Sequence, residues 1–224
     1  MLEVVVGRVG DGKSLYMANK VSKNPKERFM YIPSCSEYME FFKKVRVLQS
    51  VNKDLTKQVR LPRRDKKALV LAYGPKSYGV WKERNKIILN GSAVESVHSV
   101  STISQLTLGE GYDHLYVDGI DLIVGDKRET IQEIYELSKH IDTTITIQAN
   151  KSMYDNRLEG LAESDVIDTL RINGIPGRED VKIVTLYRRG DDMYSHNRTT
   201  ADEKFVSLEL FGKTYKETFE TIPE

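Results

Sequence analysis

Gly7-Arg8-Val9-Gly10-Asp11-Gly12-Lys13-Ser14 is the stretch on which the fold turns. It matches G-x-x-x-x-G-K-[ST], the phosphate-binding P-loop. Leu2 to Val6 before it reads as a buried strand, and Ser14 to Lys23 after it reads as a helix. That is the context the motif requires. Gly7, Gly10 and Gly12 let the backbone curl, so that N–H groups from Asp11 to Leu15 face phosphate oxygens. Lys13 adds a point charge on the β- and γ-phosphates, and the Ser14 hydroxyl can hold Mg²⁺. The helix N-terminus adds its partial positive charge.

The chain has 224 residues, enough to bury a sizeable core, and residues 1–224 are expected to form a single domain. The lone Cys35 excludes an intramolecular disulfide framework and fits a reducing compartment. No apolar run approaches the ~20 residues that span a bilayer. The first residues run straight into a strand, which argues against a signal peptide. The expectation is a cytoplasmic protein with no membrane partner.

A net charge of +1 conceals an asymmetry. Residues 43–86 carry 14 Lys and Arg against three acids, whereas residues 87–224 carry 14 against 25. A basic segment on an otherwise acidic chain points to a polyanion, and DNA is the expected partner. The alternative is that this segment faces acidic surface of the same or a neighbouring subunit. Tyr73, Tyr78 and Trp81 interleave with Lys76, Lys82 and Arg84, a pattern that suits base stacking but also ordinary sheet packing.

Periodicity and turn signals predict strands at Phe29–Ile32, Ala68–Tyr73, Leu115–Asp118, Thr143–Gln148, Val166–Ile172, Val181–Tyr187 and Phe205–Leu210. Helices are predicted at Glu37–Val47 and Thr130–Lys139, with a short one at Ser101–Leu108. Asn90-Gly91, between Lys86–Leu89 and Ala93–Val100, reads as a hairpin turn inside a basic, partly β insertion over 49–100. Alternating strands and helices indicate an α/β fold with a mostly parallel central sheet flanked by helices.

Hydrolysis needs a metal-anchoring carboxylate, a group that orients water, and a cation for developing charge. Asp118, at the end of an apolar strand, is the candidate metal carboxylate. The residue after it is Gly119 rather than a glutamate, so the water-orienting group must lie elsewhere. Asp121 is near in sequence but poorly placed. Glu37 lies just beyond the second strand, which a conventional sheet would set beside the P-loop strand. Glu37 also reads simply as a first-turn helix glutamate.

In the order of its motifs the chain resembles the RecA-like motor domain of DnaB-type replicative helicases, as a minimal phage- or plasmid-type relative. Ser34-Cys35-Ser36-Glu37-Tyr38-Met39 is similar to that family's Ser-x-Glu motif. Val117-Asp118-Gly119-Ile120-Asp121-Leu122-Ile123 is similar to its Walker B segment, and Ile147-Gln148-Ala149-Asn150-Lys151 to its Gln-bearing strand end. Leu186-Tyr187-Arg188-Arg189-Gly190 fits the last motif in part, with Leu186 at the family's lysine position. The family's N-terminal domain has no counterpart, and residues 68–100 are more β-rich than in a replicative helicase.

The resemblance implies ATP and Mg²⁺ as cofactors, with Ser14 and Asp118 at the metal. It implies Glu37 on the attacking water, Gln148 sensing the γ-phosphate, and Arg188 or Arg189 reaching a neighbour's nucleotide. A homo-oligomer follows, a ring or filament with a hexamer favoured, acting on single-stranded DNA through Lys127, Arg128, Lys151 and Arg157. The competing readings are a viral DNA-packaging or DNA-export ATPase, a nucleoside or nucleotide kinase, and a nucleotide-gated scaffold that hydrolyses ATP poorly.

Overall fold

Strand β1 (Leu2–Gly7) is hydrogen-bonded in parallel to a strand on each side, and its C-terminal end opens into the P-loop. The computed structural model describes residues 1–24, 29–32, 41, 44, 45, 47, 48, 68–73, 94–100, 113–120, 127–149, 161, 163–175 and 180–219. The other strands are β2 (Phe29–Ile32), β3 (Ala68–Tyr73), β4 (Val94–Val100), β5 (His114–Val117), β6 (Asp142–Gln148), β7 (Val181–Arg189), β8 (Asp192–Asn197) and β9 (Thr200–Ser207). They form one sheet in the order β4-β3-β2-β5-β6-β1-β7-β8-β9. The first seven positions in that order pair in parallel, and β8 and β9 close one side antiparallel. The helices are α1 (Lys13–Lys23), α2 (Lys127–Leu137), α3 (Glu163–Ile172) and α4 (Leu208–Phe219).

A parallel sheet buried on both faces needs strands that are apolar throughout, and every residue of β1, β2 and β5 is buried. Alternation sorts their side chains into two cores. Leu2, Val4 and Val6 join Leu115, Val117, Ile145 and Ile147 on one face, where Ile131, Ile134 and Tyr135 of α2 and Val166 of α3 cover them. Val5, Tyr31 and Tyr116 face the other way, under Leu15, Met17, Ala18 and Val21 of α1, with Phe41, Val45 and Leu48. Residues 41, 44, 45, 47 and 48 are helical, within the helix expected at Glu37–Val47 and one residue beyond it.

Four expectations need correction. Val166–Ile172, expected as a strand, is the body of α3. Its β-branched residues mimic a strand, but the buried ones, Val166 and Thr169, stand three apart and so share a helix face. Phe205–Leu210 straddles a boundary, because β9 ends at Ser207 and α4 begins at Leu208. β2 does not lie beside the P-loop strand, because β5 and β6 stand between them. Helix α2 starts at Lys127, earlier than Thr130, and ends at Leu137. β3 and β4 both extend the sheet in parallel beyond β2; the other hairpin arm, 86–89, lies outside the described residues, as does Ser101–Leu108.

One buried charge on the α1 face is structural. Glu3 is 2% exposed and pairs with Lys20 at 2.5 Å and Lys182 at 2.8 Å. Tyr16 and Thr144 also donate hydroxyl hydrogen bonds to it. Burial pushes the carboxyl up, but the two ammonium groups outweigh it and hold the pKa at about 2, below the ordinary 4.5. Glu3 therefore contributes stability that is complete above about pH 4.5 and is lost as the pH falls toward 2. Glu3→Gln is expected to lower unfolding free energy by about 3 kcal/mol at pH 7. Urea melts at pH 7 and pH 3 check both statements: the wild-type and variant midpoints should converge in acid.

Candidate active site

The loop between β1 and α1 is held by its own groups. Asp11 accepts from the Arg8 backbone N–H at 2.8 Å and from Arg8 Nε at 3.1 Å, with both side chains buried. Its own N–H donates to the Arg8 carbonyl at 3.2 Å. The Ala149 N–H, just after β6, donates to the Gly7 carbonyl at 3.1 Å and fixes where the loop leaves the sheet. Lys13 folds back across the loop, its Nζ donating to the carbonyls of Gly7 at 3.1 Å and Arg8 at 2.9 Å. An ammonium held on neutral carbonyls at this position is available to exchange them for phosphate oxygens.

Gly12 caps α1 in the left-handed conformation, φ 87°, with no side-chain cap. The first intrahelical bond then runs from the Tyr16 N–H to the Gly12 carbonyl, and Leu15 anchors the first turn in the core. A Cβ at position 12 would collide with Met193 Sδ on β8 and stand 3.5 Å from Phe205 Cζ on β9. The closing hairpin therefore packs directly on the P-loop, a contact the sequence did not reveal. Gly12→Ala is expected to cost about 1–3 kcal/mol for the left-handed alanine alone. It should also weaken ATP binding, read with a fluorescent analogue. If the Met193 contact adds to the cost, Gly12→Ala/Met193→Ala will lose less stability than the sum of the two single variants.

Asp118 follows β5 and is 6% exposed. Its Oδ2 accepts from the Ser14 hydroxyl at 2.6 Å and from the Tyr31 hydroxyl at 3.1 Å. Its Oδ1 accepts from the Thr146 hydroxyl at 2.7 Å. Thr146 in turn accepts the Gly119 N–H at 2.6 Å. Four elements thus converge on one carboxylate: α1, β2, the end of β5, and β6. Oxygen donors from Ser14 and Asp118, beside a phosphate cradle, suit Mg²⁺, which is bound through one or two carboxylates together with substrate phosphates. Gly119 has φ 66°, so a glutamate there would be strained as well as absent.

Gln148 ends β6 directly opposite Gly7 of β1, so the structure brings it to the mouth of the P-loop. Arg188 and Arg189 end β7, just past Leu186, whose Cβ would lie 3.4 Å from a Cβ on Gly7. Alternation sends the two arginines to opposite faces. Arg188 is tied into the turn, donating to the Gly190 carbonyl at 2.7 Å and to Asp191 at 3.4 Å. Arg189 lies over the rings of Tyr187 and Tyr194, 5.9 and 5.8 Å from their centroids, and is exposed. The two rings stack on each other, and Tyr187 donates to Asp202 at 2.5 Å. Burial and that bond push the Tyr187 phenol up to about 12.

Lys127 and Arg128 form the first turn of α2, and the Arg128 side chain packs on Gly174, where an added Cβ would meet its Cγ at 3.0 Å. Glu37, Lys151, Arg157 and Asp121 lie outside the described residues. Tyr31 and Thr146 escaped sequence reasoning. Thr146 stands two residues before Gln148 on the same strand face and could have been found by alternation; Tyr31 carries no such signal.

No protein-family model matches the sequence, and no curated protein matches it. Among solved structures, the chain is similar to an ATPase domain of a DnaB-family helicase, at 13% identity and TM-score 0.53, over 91% of this chain and 79% of that one. The protein has a RecA-like P-loop ATPase fold. The flagellar accessory protein FlaH from Methanocaldococcus jannaschii also aligns, at 13% identity and TM-score 0.43, over 93% of this chain and 79% of that one. The RecA-like fold accounts for the placement just described: P-loop, Asp118 and Gln148 all sit at the C-terminal ends of adjacent parallel strands. Among the described residues no helix is long and apolar enough to cross a membrane.

Proposed function

We propose that the chain is an ATP-hydrolysing, DNA-associated oligomeric motor of the RecA/DnaB-like helicase type. The observation that carries the reading is the 2.6 Å bond between Ser14 and Asp118, made across a P-loop whose mouth is lined by Gln148. Phosphate cradle, metal carboxylate and γ-phosphate sensor then stand together on one sheet edge. In this reading Lys13 and the loop N–H groups bind ATP, and Ser14 and Asp118 would hold Mg²⁺, which when bound neutralises charge on the phosphates. Glu37 orients water. Gln148 relays the state of the γ-phosphate.

The trans cation comes from the end of β7, so each site is completed by a neighbouring protomer in a ring or filament. Arg189 supports that role better than Arg188, because its guanidinium is held on two rings at the surface while Arg188 bonds within its own turn. Lys127, Arg128, Lys151 and Arg157 are the proposed DNA contacts. The structural likeness to an ATPase domain supports the fold on which this rests.

The experiment is to measure particle mass and ATP turnover with and without single-stranded and duplex DNA. The expected result is an oligomer whose turnover rises with single-stranded DNA. Stimulation by duplex DNA alone would favour a packaging motor, and turnover that requires a small phosphate acceptor would indicate a kinase.

A further inference from the structure

Asp118 is a buried carboxylate held by neutral hydroxyls. Among the described residues its side-chain partners are Ser14, Tyr31 and Thr146, and none of them carries charge. Burying a carboxylate without donors is costly. Pairing it with a lysine or arginine would satisfy it but would also cancel the charge a divalent cation needs. Three hydroxyls do the first without the second.

The three are not equivalent. Ser14 belongs to the P-loop motif and its oxygen is itself a candidate metal ligand. Thr146 holds Oδ1 and is oriented by the Gly119 N–H. Tyr31 comes from β2, next to β5 in the sheet, and its ring reaches forward along the strand to Oδ2. That ring is 2% exposed and lies stacked on Phe41, with centroids 3.9 Å apart and planes 11° apart. The hydroxyl therefore has little freedom to swing away. It occupies a second lone pair on the oxygen that also receives the Ser14 proton, and so fixes which way the carboxylate plane faces.

We infer that Tyr31 is a positioning residue for the metal carboxylate: its hydroxyl, locked by the stack on Phe41, holds Asp118 Oδ2 toward Ser14 so that the pair is preset for Mg²⁺. This rests on the P-loop reading above. Groups that orient a metal ligand through a hydrogen bond are worth about 10–100-fold in metal affinity. Because Oδ2 keeps the Ser14 bond when Tyr31 is removed, the lower end of that range is expected.

The test is binding of a fluorescent ATP analogue titrated with Mg²⁺, without turnover, for wild type, Tyr31→Phe and Thr146→Val. Phenylalanine preserves the ring and its stack and removes the hydroxyl alone. Wild type should bind the analogue more tightly as Mg²⁺ rises. Tyr31→Phe should need about 10-fold more Mg²⁺ at half-effect, with its Mg²⁺-free affinity unchanged. A purely structural tyrosine would lower the melting temperature and leave the Mg²⁺ midpoint alone. Thr146→Val removes the donor to the other oxygen and should shift the midpoint in the same direction. Equal midpoints for wild type and Tyr31→Phe would overturn the role of Tyr31 and leave the P-loop reading intact. A wild-type protein that binds no nucleotide at any Mg²⁺ concentration would overturn that reading and this inference with it.

Discussion

Lys13→Ala is expected to reduce kcat/KM for ATP by about 10³-fold, roughly 4 kcal/mol of lost transition-state stabilisation. The ammonium is the one full positive charge supplied by the loop to the β- and γ-phosphates in this reading; the backbone N–H groups contribute only partial charges. A charge–charge contact inside a cleft that excludes water is worth several times its value in bulk solvent. The fold should survive. Lys13 is half-buried at the start of α1, and the loop keeps the Arg8–Asp11 pair and the bond from Ala149 to Gly7. The measurement is steady-state turnover beside a urea melt. Unchanged turnover would show that the loop is not the catalytic nucleotide site. A melt shifted by several kcal/mol would show that the lost activity reports unfolding.

What the sequence made legible follows from how locally each feature is determined. The P-loop could be read because three glycines, a lysine and a serine at fixed spacing leave few other structures, and strand and helix flank it. Asp118 could be read because an apolar run ending in a carboxylate is a parallel strand meeting its functional edge. Gln148 could be read for the same reason. Helix α3 could not, because Val166-Ile167-Asp168-Thr169-Leu170-Arg171-Ile172 has the β-branched composition of a strand. The acids Glu163 and Asp165 in its first turn, favourable at a helix N-terminus, were the opposing signal.

β8 was passed over because Asp192–Asn197 is polar; it exists by pairing with β7 across a two-residue turn. Gly190-Asp191 in that turn, with Gly190 at φ 59°, is a recognised hairpin pair and could have found it. The convergence on Asp118 was out of reach. It depends on β2 and β6 flanking β5, and strand order is a tertiary fact that no local pattern encodes. The same ignorance placed β2 beside β1.

That strand order bears on the second large prediction: Glu37→Gln should bind ATP normally and lose hydrolysis by at least about 10²-fold, the lower bound for removing a positioned general base. The two described carboxylates that touch the P-loop are both committed. Asp11 holds Arg8, and Asp118 accepts three hydroxyl bonds. Position 119 is a glycine in a left-handed conformation. A water-orienting carboxylate must therefore approach from another segment. β2 ends at Ile32, whose carbonyl accepts the Asp118 N–H at 2.8 Å, so the chain leaving β2 starts beside the metal carboxylate rather than beside β1. Glu37 is five residues further on, within reach of that edge by chain length alone. Its approach to the γ-phosphate is thus proposed from the Asp118 side. Equilibrium binding of an ATP analogue and single-turnover hydrolysis separate the two effects. Loss of binding would assign Glu37 to the loop's structure, and near-normal turnover would pass the role to Asp121, the other carboxylate that follows Asp118 in sequence.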